Sequence, residues 1–281
     1  MNVAVTGPLG FIGRHVVAEL EGRGLSPTLV CRPGAKIPGA LSEHSVVRLD
    51  VINAPADAFR RLGSPETVIH LAWGGLPNYA SSHHVEQELP AHRSFLGGLV
   101  AAGLGALTVT GTCLEYGLQT GALREDLPTA PVTAYGRAKD ALRADLQALQ
   151  STHSFRLTWA RLFYLHGEGQ AAGSLVPQLE AAIGRGAMTF DMSGGEQLRD
   201  YLPVDVAARY LVSLATNDRD NGVVNVCSGK PIEVRDLAAA VAEKHRSSIR
   251  LNLGRYPYPD YEPMAFWGDR AKLDRQLAVA P

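Results

Sequence analysis

The sequence has few cysteines, no long apolar run and almost no net charge. Its three cysteines, Cys31, Cys113 and Cys227, are widely spaced and form no C-x-x-C pair, which argues against a zinc site and a disulfide framework. No stretch approaches the roughly 20 apolar residues that a membrane-spanning helix needs. A formal net charge of −1 gives no electrostatic indication of nucleic acid or of an anionic membrane surface as a partner.

The N-terminus also lacks the basic and apolar segments of a secretion signal, because a strand pattern begins at Asn2 and reaches a glycine turn at Gly7. We therefore expect a cytoplasmic protein with no metal site, no nucleic-acid partner and no membrane contact. What is present is an ordinary globular composition. With 46% hydrophobic residues, the 281 residues suffice for one large α/β domain, or for a domain with a small cap.

Short β-prone runs alternate with helical patterns through the first 165 residues. Apolar strands that are separated by helices predict a parallel sheet covered on both faces, which is the doubly wound α/β or Rossmann architecture. The predicted strands are Val3–Thr6, Thr28–Cys31, Val46–Leu49, Thr67–Leu71, Leu107–Thr110 and Leu157–Leu162. The main predicted helices between them are Phe11–Leu20, Val85–Ala102 and Tyr135–Leu149.

The carboxyl-terminal third has a different pattern, which we interpret as a smaller cap at the carboxyl edge of the sheet. We predict a dinucleotide-binding domain over residues 1–165, to which a further strand and helix near 196–230 return. The substrate-binding cap takes most of residues 166–281. Its predicted elements are helices at Leu175–Ile183, Ala207–Ala215 and Leu237–His245, a turn at Gly194–Gly195, a strand at Val223–Val226, and a proline- and tyrosine-rich tail at Tyr256–Pro263.

A glycine-rich loop follows the first predicted strand and opens the first predicted helix. Its glycines have the spacing G-x-x-G-x-x-G. Glycine allows a tight turn, close approach of the backbone to a pyrophosphate, and close packing of helix on sheet, while N–H groups at the helix start hold the phosphates. We therefore expect this loop to bind a dinucleotide cofactor through Gly7, Gly10, Phe11, Ile12 and Gly13.

The end of the second predicted strand indicates which dinucleotide binds. A site for NAD commonly offers an acidic residue there, whereas this sequence has Arg32. A guanidinium forms charge-assisted hydrogen bonds with phosphate oxygens, so Arg32 favours NADP(H) over NAD(H). The adenine and nicotinamide ends of the cofactor are expected beside residues that follow the third and fourth predicted strands, namely Asp50, Val51, Leu71, Ala72 and Trp73.

Tyr135 and Lys139 lie one helical turn apart on the same face of a predicted helix. A free tyrosine has a pKa of about 10, and a nearby cation lowers that value, so Lys139 is expected to make Tyr135 a usable acid/base. Lys139 also suits the ribose of the nicotinamide. Thr112 follows the fifth predicted strand and is expected to orient the alcohol or carbonyl oxygen of the substrate.

In this order and spacing, these segments resemble the extended short-chain dehydrogenase/reductase family, which includes nucleotide-sugar epimerases, dehydratases and ketoreductases. The resemblance implies that Thr112, Tyr135 and Lys139 are the catalytic triad. It makes Arg199 either a contact to a nucleotide diphosphate or the partner of Asp200 or Asp205. The likeness is carried by TGPLGFIG (6–13), VIHLAW (68–73), VTGTCLEYG (109–117), YGRAK (135–139), ARLFYLHGEGQ (160–170), RDYLPVDVA (199–207) and NVCSGKPIEVRDLA (225–238).

The residues after Thr112 narrow the reaction. Family dehydratases carry an Asp-Glu pair at this point, where the sequence has Cys113 and Leu114, and Glu115 falls one place too late to substitute. The resemblance then implies chemistry at C4 of a nucleotide-diphospho-6-deoxyhexose, by an NADP(H)-dependent 4-ketoreductase or, in reverse, a dehydrogenase. The substrate is expected to contact Trp73, Thr112, Tyr164, Arg199 and Tyr258, although Tyr164 replaces an asparagine that is usual in the family.

Two alternatives stay open at this point. One is a C4 epimerase that keeps NAD bound, which Arg32 and the small cap argue against. The other is a non-catalytic NADP-sensing protein, which retention of the Tyr135 and Lys139 pair argues against. The helices over 85–102 and 135–150 resemble those that pair across a two-fold axis in the family, so a homodimer is expected. The histidines show no metal-ligand spacing, and His83 and His84 are expected to lie on a solvated loop.

Overall fold

A seven-stranded parallel sheet forms the centre of the protein. The structure is a computed structural model that describes residues 1–278. Its strands, in chain order, are β1 Val3–Thr6, β2 Thr28–Cys31, β3 Val46–Arg48, β4 Thr67–His70, β5 Ala106–Thr112, β6 Gly121–Leu123, β7 Arg156–Leu162, β8 Tyr164–His166, β9 Thr189–Asp191, β10 Leu198–Pro203, β11 Gly222–Val226, β12 Pro231–Glu233, β13 Arg250–Asn252 and β14 Phe266–Gly268. The central sheet has the order β11-β7-β5-β4-β1-β2-β3.

Helices cover both faces of this sheet. In chain order they are α1 Phe11–Gly22, α2 Ala58–Arg61, α3 Leu89–Ala101, α4 Ala134–Leu149, α5 Leu175–Gly184, α6 Val204–Thr216, α7 Val234–Lys244 and α8 Ala271–Leu277. Successive residues of a strand point to opposite faces. In β1, Val3 and Val5 accordingly pack with α1 and α6, whereas Ala4 packs with α3 and α4. The predicted doubly wound sheet is confirmed.

The order of the strands places a crevice at their carboxyl ends. The chain passes from β1 outward to β2 and β3, and then returns to the other side of β1 to form β4 and β5. Loops that leave neighbouring strands in opposite directions open a crevice, which is where open α/β sheets bind their ligands. The glycine-rich loop after β1 and the segments after β4 and β5 all reach this crevice.

The carboxyl-terminal third contributes to two parts of the structure. Strand β11 pairs with β7 at the edge of the central sheet, and α6 packs against α1, so residues 204–226 return to the Rossmann layers. The smaller part contains α5 packed on α7, the sheet β12-β10-β8, and the strand pairs β13-β9 and β14-β6. No helix within residues 1–278 is long and apolar enough to cross a membrane.

Two local differences from the sequence analysis have physical causes. The helix predicted over 85–102 is a π-helical turn at His84–Glu88 followed by α3. Pro90 explains the change, because it has no N–H to donate one turn back and fits only at the start of an α-helix. Between α5 and α6 we predicted only a turn. The structure places β9 and β10 there: β9 has only three residues, and the apolar pattern of β10 is broken by the buried Arg199 and Asp200.

Candidate active site

The neighbouring backbone leaves no room for side chains at the glycines of the glycine-rich loop. The bare backbone of this loop can therefore approach a pyrophosphate closely. Gly7 has a φ of +68°, and a Cβ atom there would lie 3.0 Å from the backbone nitrogen of Ala72. A Cβ atom on Gly13 would overlap the carbonyl oxygen of Gly7, so α1 packs directly on the loop. Gly10 precedes α1 and offers no side-chain cap, and the first turn of α1 has no acidic residue. The start of this 12-residue helix is therefore suited to an anion.

A cavity of about 340 Å³ opens beside this loop. It extends from the glycines, past the carboxyl ends of β2 and β3, to the segment after β4, which is the path that a dinucleotide follows in this architecture. Phe11 and Ile12 line a second cavity instead, and Gly13 is buried in the contact of α1 with the loop. The predicted cofactor residues that line the first cavity are Gly7, Gly10, Arg32, Asp50, Val51, Leu71, Ala72 and Trp73.

Arg32 borders this cavity, the candidate cofactor cavity, just after β2. Its side chain is exposed, and no salt bridge within residues 1–278 engages its guanidinium. Asp50, which we expected near the adenine, has oxygens that accept hydrogen bonds from Ile52 N and Asn53 Nδ2 at 3.2 and 3.1 Å. These bonds hold the turn after β3 in place. Because the guanidinium of Arg32 is exposed and borders the cavity, an anionic group of a dinucleotide can reach it.

The second cavity, of about 480 Å³, brings Thr112 and Tyr135 together and is the candidate substrate cavity. Thr112 is the last residue of β5. Its Oγ1 accepts a hydrogen bond from the backbone N–H of Leu114 at 3.2 Å. Since this bond uses a lone pair and leaves the hydroxyl proton free, Thr112 can donate a hydrogen bond to a substrate oxygen.

Glu115 holds this threonine, a role that the sequence analysis missed. Its Oε1 accepts the backbone N–H of Thr112 at 2.8 Å, which completes a capping box. Its Oε2 accepts a hydrogen bond from Arg161 Nε at 2.7 Å, and Trp159 Nε1 donates to the same carboxylate. The spacing Thr-x-x-Glu is the sequence signal for such a cap and could have revealed this contact. The buried pair of Glu115 and Arg161 therefore fixes the carboxyl end of β5.

Tyr135 and Lys139 are both buried in the first turns of α4. The helix begins after Thr133, whose side chain accepts the N–H of Gly136 at 3.0 Å. The backbone N–H of Tyr135 donates to the carbonyl of Tyr79 at 3.0 Å, which joins α4 to the loop after β4. The Lys139 ammonium lies 4.0 Å from the ring centroid of Trp73 and 5.9 Å from that of Tyr135. The structure thus brings the three predicted catalytic residues to adjoining positions at the crevice.

The charge balance of this pair differs from our expectation. Burial raises the pKa of Tyr135 well above its usual value, and Lys139 does not reverse this effect. Burial lowers the pKa of Lys139 to about 7, against the opposing influence of Glu115 and Glu88. The prediction that Lys139 lowers the pKa of Tyr135 is therefore wrong for this arrangement, because loss of hydration outweighs the attraction of the cation. Tyr135 stays protonated at neutral pH.

A chain of hydrogen bonds supports the cofactor cavity behind Trp73. His70 Nε2 lies 2.7 Å from His92 Nδ1, and His92 Nε2 lies 2.9 Å from Glu88 Oε2. Burial would raise the pKa of Glu88, but hydrogen bonds from His92 and from the N–H of Gly74 lower it to about 2. This chain fixes the loop after β4, and His92 stacks on Trp73 with ring centroids 4.5 Å apart.

The position of His84 corrects another expectation. We predicted a solvated loop for His83 and His84, but His84 is fully buried and accepts the indole N–H of Trp73 at 3.1 Å. The sequence gives no sign of this because the π-helical turn sets which side of the segment faces inward. No cluster of His, Cys, Asp and Glu in the described part of the chain is arranged to hold a metal ion.

The five predicted substrate contacts do not all lie in one cavity. Thr112 and Tyr164 line the substrate cavity, whereas Trp73 lines the cofactor cavity. Arg199 is buried and does not line either cavity, and Tyr258 is exposed with its hydroxyl on Glu196.

The partner of Arg199 was not among those we considered. Its Nη2 donates to Glu262 Oε2 at 3.1 Å. Asp200 instead accepts the backbone N–H groups of Ser228 and Gly229. Glu262 also lines the substrate cavity and is a second residue that the sequence analysis missed.

A family model for the "NAD dependent epimerase/dehydratase family" matches residues 3–227, which is most of the chain. The chain belongs to this family. It is therefore an NAD(P)-dependent oxidoreductase of the extended short-chain dehydrogenase/reductase type. The match includes the glycine-rich loop and the positions of Thr112, Tyr135 and Lys139.

Individual relatives have similar lengths and folds. A dTDP-6-deoxy-L-talose 4-dehydrogenase (NAD(+)) from Aggregatibacter actinomycetemcomitans is 27% identical over 270 residues, covering 95% of this chain and 99% of that protein. A dTDP-6-deoxy-L-talose 4-dehydrogenase (NAD(P)(+)) from Kitasatospora kifunensis is 27% identical, covering 92% and 83%. The solved structure of MoeE5 in complex with UDP-glucuronic acid and NAD superposes with a TM-score of 0.83 at 26% identity, covering 99% and 93%.

Proposed function

We propose that this protein transfers hydride between NADP(H) and C4 of a nucleotide-diphospho-6-deoxyhexose, as a 4-ketoreductase or, in reverse, a 4-dehydrogenase. The observation that carries the proposal is the meeting of Thr112 and Tyr135 in one cavity, with Lys139 one turn further along α4 and the cofactor cavity alongside. Carbonyl reduction needs hydroxyl donors for the substrate oxygen, and this cavity offers the hydroxyls of Thr112 and Tyr135.

The hydroxyls of Tyr135 and Thr112 have different roles at the substrate oxygen. NADPH, when bound, supplies the hydride that adds to the carbonyl carbon. The proton that completes the alcohol comes from Tyr135, which its raised pKa keeps protonated at neutral pH. Thr112 donates a hydrogen bond to the same oxygen, because the bond from Leu114 N–H uses one of its lone pairs and leaves its hydroxyl proton free. We assign Lys139, whose ammonium lies against Trp73 of the cofactor cavity, to the hydroxyls of the nicotinamide ribose.

Arg32 supports NADP(H) as the cofactor. Its exposed guanidinium borders the cofactor cavity at the end of β2, where a 2′-phosphate would lie. The two relatives are named for NAD(+) and for NAD(P)(+), so both dinucleotides occur among similar proteins. The relatives therefore do not decide between the two dinucleotides, and we assign the preference for NADP(H) to Arg32.

The names of the relatives support a 6-deoxysugar substrate and reaction at C4. The residues that follow Thr112 argue against dehydration. Cys113 lines the substrate cavity, but burial raises the pKa of its thiol, so it is not a base at neutral pH. Leu114 has no titratable group. The acid and base that elimination of water requires are thus absent from these two positions.

We also propose a cytoplasmic homodimer. The three cysteines are buried and unpaired, which suits a reducing compartment. Helices α3 and α4 pack side by side on one face of the sheet, and they contain the segments that resemble the family's two-fold dimer helices. Analytical ultracentrifugation tests the dimer, since a monomer at micromolar concentration contradicts it.

The assay for the proposed function uses purified protein, a nucleotide-linked 4-keto-6-deoxyhexose, and NADPH or NADH. We expect loss of the absorbance of reduced nicotinamide with NADPH, formation of a 4-hydroxy sugar, and much slower turnover with NADH. A preparation that retains NAD and interconverts 4-epimers without added cofactor would instead establish the C4 epimerase.

A further inference from the structure

The lining of the substrate cavity includes a carboxylate, Glu262, whose counter-ion Arg199 is buried and does not line the cavity. Among the described residues that line it, Glu262 is the one with a charged side chain, and no lysine or arginine is among them. Glu262 belongs to the loop before β14 and faces the same cavity as Thr112 and Tyr135. The neutral polar groups around the cavity include those of Tyr79, Tyr164, Gln170, Ser174 and Tyr201.

Arg199 and Tyr164 hold the side chain of Glu262 at the wall of the cavity. Arg199 Nη2 donates to its Oε2 at 3.1 Å, and the hydroxyl of Tyr164 donates to its Oε1. The Arg199 guanidinium also donates to the carbonyl of Met264 and lies 4.6 Å from the ring centroid of Phe266. Because Arg199 is buried and does not line the cavity, a ligand meets the carboxylate and not the guanidinium.

The carboxylate of Glu262 can accept further hydrogen bonds. Two carboxylate oxygens offer about four lone pairs, and Tyr164 and Arg199 use two of them. A sugar hydroxyl can donate to a remaining lone pair, and a hydrogen bond to an ionised acceptor is stronger than one to a neutral acceptor. A second carboxylate in the same cavity would meet a like charge where the dielectric is lower than in water.

We propose that Glu262 determines which sugars the protein accepts: it binds a hydroxyl of a neutral nucleotide-linked sugar and disfavours nucleotide-linked uronic acids. The inference rests on the proposed function, since it takes a nucleotide-linked sugar as the ligand. It goes beyond that function because it distinguishes this cavity from that of MoeE5, a protein of the same fold whose structure holds UDP-glucuronic acid.

Calorimetric titration of the protein saturated with NADPH tests the proposal. The ligands are glucose and glucuronic acid, each linked to UDP and to dTDP, so that each pair differs only at C6. We expect the native protein to bind the uronate roughly tenfold or more weakly than the neutral sugar on the same nucleotide. Glu262→Gln keeps an amide oxygen for Arg199 and should narrow that ratio to about threefold or less, because the like charge is gone.

Asp260→Asn is the matched control. It removes the same charge two positions away on the same loop, but Asp260 lines a neighbouring cavity with Tyr261 and Arg137. This variant should keep the native preference. Glu262→Ala removes the same charge and should narrow the ratio in the same way, which provides a second test if Glu262→Gln does not fold.

The outcomes separate this inference from the proposed function. Equal binding of uronate and neutral sugar by the native protein would overturn the role of Glu262 while leaving the proposed function in place. An unchanged preference in folded Glu262→Gln would do the same. Failure of the native protein to bind any of the four ligands would contradict a nucleotide-sugar substrate, and with it this inference.

Discussion

Replacing Glu115 with glutamine perturbs the support of Thr112 while keeping the shape of the side chain. Glu115 is fully buried and Arg161 is 2% exposed, so the variant leaves a guanidinium in the interior without its counter-ion. Breaking a buried ion pair in this way costs about 3–5 kcal/mol of unfolding free energy. The amide also offers one acceptor oxygen where the carboxylate offers two, so the N–H groups of Thr112, Trp159 and Arg161 compete for it.

Urea unfolding followed by circular dichroism measures the loss of stability, with Glu19→Gln as control. Glu19 pairs with Arg23 at 2.7 Å near the surface, and such an exposed pair contributes at most about 1 kcal/mol. The double variant Glu115→Met with Arg161→Met removes both charges and should recover much of the stability. It should not recover kcat, since Thr112 still lacks its cap, and a misplacement of about 1 Å costs on the order of 10²-fold in rate.

The reasoning is refuted if Glu115→Gln loses no more stability than Glu19→Gln. It is also refuted if the double variant recovers kcat together with stability. The first result would show that the buried charge is not held by Glu115. The second would show that Thr112 is positioned without it, so that the rate loss in Glu115→Gln came from instability alone.

Three further outcomes are expected. Arg32→Ala should weaken binding of NADPH by about 10- to 100-fold with little change for NADH, measured by calorimetry, and equal losses for both would contradict a 2′-phosphate contact. Tyr135→Phe should reduce kcat by about 10²- to 10⁴-fold and leave the Kd for NADPH unchanged, and near-native turnover would remove Tyr135 from the chemistry. Lys139 has a pKa of about 7 in the folded protein, below its unfolded value of 10.5, so the unfolded chain binds more protons between these values. The unfolding free energy of the native protein relative to Lys139→Met should therefore rise from pH 7 toward pH 10, and a difference independent of pH would show that Lys139 is hydrated.

The sequence was sufficient for the first strands of the sheet because several of them are wholly buried runs with apolar or β-branched residues, such as β1, β2 and β4. All four residues of β1 are buried, and glycines stand directly after it, so both the strand and its turn were visible locally. The spacing of Tyr135 and Lys139 was likewise a local signal, since residues four apart share a helix face. Strand β9 was missed because its three residues give too few periods to separate strand from loop, and β10 because two charged residues, Arg199 and Asp200, are buried within it.

The contacts that were missed join distant parts of the chain. Arg161 reaches Glu115 from 46 positions away, and Arg199 reaches Glu262 from 63. Only the pairing of β5 with β7, and the folding of the tail over the cavity, bring these residues together. The prediction of a lowered pKa for Tyr135 was wrong for a related reason. Spacing in the sequence shows which charged residues are near, whereas burial by the rest of the fold sets the free-energy cost of ionising the phenol.

Tracing the hydride tests the central claim most directly. The protein is incubated with a nucleotide-linked 4-keto-6-deoxyhexose and NADPH that carries deuterium at both hydride positions of the nicotinamide, and the sugar product is examined by NMR. We predict one deuterium at C4 of every product molecule. A product without deuterium, or with deuterium at another carbon, would contradict reduction at C4 by the dissociable cofactor.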